Sequence, residues 1–215
     1  MIEQNVREII EKLKEVNPAT KLIAATKTRT QEEIRVCMDT GLVLAAGENR
    51  VQELTQKYMP EYRWDFIGQL QTNKVKYIID KAELIHSVDR TALADVIQKE
   101  CVKHNKKQKV LVEINTGKEL SKGGIDEEDM DAFLDELTRY DRIVVSGLMA
   151  VAPVFYTPEE TEKAFDSVYE LFAKRQNAVF NTLSMGMSND YLIAAKCGAN
   201  VVRIGRAIFG ERSYT

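Results

Sequence analysis

The chain has 215 residues, with 30 Lys+Arg against 33 Asp+Glu and a net charge of -3. That balance gives no electrostatic reason to expect nucleic acid or an anionic membrane as partner, and 44% hydrophobic with 29% charged residues is ordinary globular composition. Three scattered cysteines without CxxC spacing and only two histidines leave little material for a disulfide framework, a zinc site or a Ser-His-Asp triad.

From Ile2 to Val16, apolar residues recur at helical spacing: Val6, Ile9, Ile10, Leu13 and Val16. Asn17-Pro18 ends this helix, since proline disfavours helix in the residue before it. Strand-like runs then occur at 22–27, 43–49, 63–69, 84–89, 109–115, 143–151, 182–187 and 201–205. Helical patterns lie between them at 31–40, 50–58, 71–81, 91–104, 126–139, 158–177 and 189–197. Thr30, Asp89 and Thr157 stand where helix caps belong, and Pro158 follows Thr157 at the first helical position. The basic run 103–109 reads as a solvated connection.

Strands alternating with helices mean βαβ units and a parallel sheet. Eight of them predict an α/β fold: a single (β/α)8 TIM-type barrel with an extra N-terminal helix, one domain over 1–215. An open Rossmann-like sheet is weakened because no G-x-G-x-x-G follows the first strand. No apolar run approaches a membrane span and no signal-peptide core opens the chain, so the expected location is cytoplasmic.

The carboxyl ends of barrel strands are where function concentrates. Lys27 ends a strand that reads as buried on both faces, where a bare ammonium is costly unless used. A buried lysine with a lowered pKa is a nucleophile for an aldehyde. Ser188 opens the helix after the seventh strand, and Gly205 ends the eighth; together they suit a phosphate, through a hydroxyl and close main-chain approach. Ser188 is equally readable as a plain N-cap. Arg203 shares a strand face with Gly205. It could donate to a pyridine nitrogen or pair with a barrel glutamate, Glu48 or Glu113. A strand-end lysine and a Ser/Gly/Arg cradle together suggest pyridoxal phosphate.

Several segments lie in order along the chain: Ala24-Ala25-Thr26-Lys27-Thr28, Gly47-Glu48-Asn49, Trp64 to Lys74, Ser121-Lys122-Gly123-Gly124, Ser146 to Ala150, Leu183 to Ser188 and Val202 to Gly210. In combination they resemble the pyridoxal phosphate homeostasis protein family, which is similar in fold to the N-terminal barrel of alanine racemase. The resemblance implies that Lys27 is the imine lysine, that Ser188 and the Gly205-Arg206 turn hold the phosphate, that Arg203 faces the pyridine nitrogen and that Asn49 lies near the cofactor. It implies a monomeric, non-enzymatic carrier or buffer of pyridoxal 5'-phosphate in vitamin B6 homeostasis, with apo pyridoxal phosphate enzymes as acceptors. The competing expectation is an amino acid racemase, which needs an acid/base on each face of the substrate. Lys122 is either a solvated loop lysine or a transient acceptor of the aldehyde during exit. Asp65 stands where related chains usually carry histidine. At the mouth of the third strand, that departure is expected to alter a local surface property only.

Overall fold

The computed structural model describes residues 1–117 and 123–211. Eight parallel strands close into a barrel in sequence order, as expected. They are β1 (Lys21–Ala25), β2 (Val43–Glu48), β3 (Trp64–Phe66), β4 (Ala82–Val88), β5 (Gln108–Ile114), β6 (Ile143–Ala150), β7 (Thr182–Ser184) and β8 (Val201–Ile204). The ring is completed by β8 pairing with β1, which sets Ile23 beside Arg203 and Ala24 beside Ile204.

Around the barrel lie α1 (Ile2–Val16), α2 (Gln31–Met38), α3 (Val51–Lys57), α4 (Thr91–Lys103), α5 (Met130–Leu137), α6 (Pro158–Ala173), α7 (Tyr191–Lys196) and α8 (Arg206–Phe209). Two starts carry full capping boxes, Thr30 with Glu33 on α2 and Thr157 with Glu160 on α6. Each satisfies two N–H groups that a helix end otherwise leaves unpaired. Asp89 does not cap α4: the N-cap is Arg90, and Asp89 instead accepts from Arg90 at 2.5 Å and from the Gly124 N–H at 3.4 Å. The third crossover differs from expectation. Only Thr72–Tyr77 is helical, as a 3-10 turn. Val75, Ile78 and Ile79 are fully buried at a spacing that mimics an α-helix, but the N–H groups of Ile78 and Ile79 both reach the Val75 carbonyl at 3.1 Å, which tightens the turn.

Strand alternation divides the core in two. Leu22, Ala24, Trp64, Phe66, Val110, Val112, Val202 and Ile204 join the large cluster between strands and helices. Ile23, Ala45 and Val201 form a separate cluster inside the barrel, and Leu84, Leu111 and Met149 form another. On β4, β5 and β8 the inward residue two positions further on is polar: His86, Glu113 and Arg203, all buried. The barrel therefore has an apolar floor and a polar upper interior. The extra helix α1 buries Val6, Ile9 and Leu13 and bonds to the C-terminal helices, Asn5 Nδ2 donating to the Ile208 carbonyl at 2.8 Å. No helix among the described residues is long and apolar enough to cross a membrane.

Candidate functional site

The strand order puts β7, β8, β1 and β2 side by side, and five of the six candidate residues follow these four strands at their carboxyl ends; the sixth, Arg203, lies within β8. Lys27 lies two residues beyond β1, continuing the inward parity of Ile23 and Ala25. It is half-buried in a turn, which corrects the expectation of a buried strand end: β1 stops at Ala25 because the chain turns at Thr26 and Thr28 takes a φ of 66°. A left-handed non-glycine residue costs free energy and persists only where its surroundings hold it. Here they do. The Thr26 hydroxyl donates to Glu48 Oε1 at 2.9 Å, and the Thr28 N–H donates to Glu53 Oε2 at 2.7 Å. Lys57 Nζ ties the two carboxylates together, at 2.8 Å from Glu48 and 2.6 Å from Glu53, and reaches the Thr26 carbonyl at 3.0 Å. Burial pushes the Glu53 carboxyl up, but the bonds from Lys57 and Thr28 outweigh it and hold it below its usual range. Arg29 bonds the Gly210 carbonyl at 2.6 Å, tying the Lys27 turn to the end of α8.

Ser188 is not the cap of α7, whose N-cap is Asp190. Its hydroxyl accepts from the Ala207 N–H at 3.3 Å, so the turn after β7 meets the start of α8. Gly205 is that helix's N-cap, and a Cβ there would stand 3.0 Å from the Ala25 carbonyl oxygen, pressing β8 against β1. Arg206 is exposed and donates to Asn189 Oδ1 at 2.7 Å. Asn49 is half-buried beyond β2, its N–H donating to Glu48 at 3.0 Å. A Cβ on Gly68 would stand 2.2 Å from the Asn49 carbonyl oxygen, so only glycine lets the loop after β3 close on it.

Arg203 is buried, and burial pushes its guanidinium down to about 10 against the pull of Glu113 and Asp190. It stays charged at neutral pH. Neither Glu48 nor Glu113 bonds it directly among the described residues. It donates from Nη1 to the Ser184 carbonyl at 2.8 Å and hydroxyl at 2.5 Å, and from Nη2 to the Ala150 carbonyl at 3.0 Å. Those are three of a guanidinium's five donors. Asp65 is fully buried and bonded to Arg63 and His86, which overturns the expectation that it affects only a surface property. Lys122 lies outside the described residues.

An amine, a hydroxyl beside a helix start and two guanidinium groups around one mouth form a donor set for an anionic carbonyl compound. Comparison with known proteins narrows the reading. Residues 1–213 match the family described as "Alanine racemase, N-terminal domain". The pyridoxal phosphate homeostasis protein of Aquifex aeolicus is 43% identical over 201 residues, covering 90% of this chain and 88% of that one. The protein of that name from Pasteurella multocida is 34% identical over 225 residues, covering 100% and 96%. This chain belongs to the pyridoxal phosphate homeostasis protein family. Among solved structures, PipY of Synechococcus elongatus superposes with a TM-score of 0.89 at 30% identity, covering 98% of this chain and 100% of PipY. PipY with pyridoxal phosphate bound gives 0.87. Alanine racemase from Corynebacterium glutamicum shares the fold, with a TM-score of 0.75 at 18% identity, and this chain covers 61% of it.

Sequence reasoning missed Lys57, Glu53 and Ser184, and read Glu48 only as a partner for Arg203. Lys57 and Glu53 sit at i,i+4 on α3, a pairing visible in the sequence, but their shared target on β1 is not. Glu113 is a further polar residue of the upper interior. It is buried near Asp89, within 3.5 Å of Gln69 Nε2, and burial followed by the Asp89 charge pushes its carboxyl up to about 7. A raised carboxyl favours the folded state below its ordinary value of 4.5, and that advantage is lost as pH rises through about 7. Glu113→Gln is therefore expected to flatten the decline in wild-type stability over this range, gaining up to ~3 kcal/mol on the alkaline side. Thermal melts of both proteins from about pH 5 to about pH 9 check it. Parallel profiles would show that Glu113 does not titrate there.

Proposed function

We propose that this chain is a cytoplasmic pyridoxal 5'-phosphate carrier or buffer, a single barrel unit that binds the cofactor at Lys27 and takes no part in amino acid turnover. The observation that carries it is the meeting of Lys27, Ser188, Gly205-Arg206 and Arg203 at the ends of adjacent strands. The relative PipY, with pyridoxal phosphate bound, lends support.

The residues present fit the cofactor. Lys27 would hold its aldehyde end, Ser188 and the Gly205-Arg206 turn its phosphate, and Arg203 its ring nitrogen, with Asn49 alongside. When bound, pyridoxal phosphate supplies an aldehyde that a lysine amine holds as a reversible imine. The braces on Thr26 and Thr28 hold the Lys27 turn in place at low entropic cost. The Ser188 hydroxyl and the start of α8 offer donors without reorganisation. Arg203, charged and donating only, keeps a ring nitrogen it faces unprotonated, and that weakens electron withdrawal. This favours holding the cofactor over transforming an amino acid. Acceptors would be apo pyridoxal phosphate enzymes.

The test pairs a transfer assay to an apo-enzyme with a chiral assay on alanine. Transfer should be efficient. Racemisation near the ~10 s⁻¹ typical of enzymes would overturn the carrier reading. Ser188→Ala should weaken pyridoxal phosphate binding by about 1–2 kcal/mol, the scale of one hydrogen bond to a charged group. Pyridoxal, lacking the phosphate, should bind far more weakly and be indifferent to that substitution. Equal wild-type affinity for both ligands would misplace the anion site.

A further inference from the structure

The polar interior of the barrel contains one continuous hydrogen-bonded chain that crosses it. Arg63 Nε and Nη2 donate to Asp65 Oδ1 and Oδ2 at 3.0 and 3.1 Å. His86 Nε2 lies 3.3 Å from Asp65 Oδ2, and His86 Nδ1 lies 3.1 Å from Ser184 Oγ. Arg203 Nη1 closes the chain on that hydroxyl at 2.5 Å. Asp65, His86, Ser184 and Arg203 sit on β3, β4, β7 and β8, with Arg63 just ahead of β3, and β4 and β7 are not neighbours in the ring. Asp65, His86, Ser184 and Arg203 are all buried.

The Asp65 end dictates the proton arrangement, and the Arg203 end accommodates it. An arginine can only donate, so Ser184 Oγ accepts from Arg203. Its single proton is then free to be donated to an unprotonated His86 Nδ1. At the other end an ionised Asp65 can only accept, so His86 Nε2 carries the proton. Burial, which lowers the imidazole's pKa, keeps the ring neutral, and the carboxylate then selects one tautomer. Flipping the tautomer would set a lone pair of His86 Nε2 against the Asp65 carboxylate. A buried network satisfied at every link is stiff, because breaking one bond strands the others.

We propose that Asp65 is a positioning residue: it fixes the His86 tautomer, and through His86 and Ser184 it holds the Arg203 guanidinium in its bonded orientation. The consequence for a ring nitrogen rests on the pyridoxal phosphate reading above; the relay itself does not. The relay makes the third strand, two places round the ring from β1, a determinant of the electronic state of the bound ring.

The chain has only two histidines, His86 and His104, so a ¹⁵N side-chain spectrum of the apo-protein is easily assigned with His104→Gln. The expected result for wild type at neutral pH is a single Nε2–H tautomer at His86 and a slowly rotating Arg203 guanidinium. An Nδ1–H tautomer or an imidazolium there would overturn the proposal without any variant of the relay. Asp65→Asn should lose the single tautomer and speed Arg203 rotation, and Ser184→Ala should speed that rotation with Asp65 intact. An unchanged tautomer and rotation in Asp65→Asn would also overturn it. Loading with pyridoxal phosphate then reads the consequence: the ring nitrogen's ¹⁵N shift should move in Asp65→Asn. If the apo signals respond but no adduct forms even in wild type, the cofactor reading fails and the relay stands.

Discussion

Replacing Lys27 by alanine is expected to abolish the borohydride-trapped pyridoxal phosphate adduct and its visible absorption entirely, while leaving the fold intact. Lys27 is half-buried in a turn beyond β1, and the bonds that hold this turn belong to Thr26 and Thr28. Substitution at such a site costs within about 0.5 kcal/mol of stability, so the loss is chemical and not structural. Residual binding should persist through the phosphate and compete with inorganic phosphate. Peptide mapping after borohydride reduction checks the assignment in wild type. A modified lysine elsewhere, with Lys27 untouched, would sink it.

The second large effect is at Glu48. This carboxylate is fully buried and accepts from Thr26, from Lys57 Nζ and from the Asn49 N–H. Glu48→Ala leaves a largely buried ammonium with half its compensation and strands the Asn49 N–H, while the Thr26 hydroxyl keeps only its longer bond to the Gly47 carbonyl at 3.2 Å. Breaking a buried pair from one side costs about 3–5 kcal/mol; since Lys57 keeps Glu53, about 3 kcal/mol is expected. Urea denaturation measures it. Glu48→Gln retains the shape and some of the bonds and should cost less. The same substitutions should lower pyridoxal phosphate affinity, because the Lys27 turn loses the brace on its N-terminal side. A stability loss under ~1 kcal/mol in Glu48→Ala would show that Thr26 and Lys57 are satisfied otherwise.

The barrel was legible because its strands are short apolar runs separated by helices with strong start signals. Thr30 with Glu33, and Thr157-Pro158 with Glu160, are local devices, and local devices are written in adjacent residues. The 72–77 segment misled for the complementary reason: Val75 within the 3-10 turn, and Ile78 and Ile79 just after it, face the core as they would in an α-helix. Asp89 misled because its carboxylate was claimed by Arg90 and by Gly124, a residue distant in sequence.

By itself, the sequence determined the alternation of elements, the number of strands and hence the closed parallel barrel, since periodicity and capping act over a few residues. It also put Lys27, Asn49, Ser188, Arg203, Gly205 and Arg206 at or near strand ends. Only the tertiary structure decided what these residues touch. Closing the ring brings β8 against β1, and with it Gly205 against Ala25. It hands Glu48 to Lys57 and not to Arg203. It turns Asp65 inward, onto a chain that runs through His86 and Ser184 to Arg203 across the barrel. Whether an inward polar residue meets a partner depends on strand stagger and barrel closure, quantities set by the whole sheet, and no window of sequence contains them.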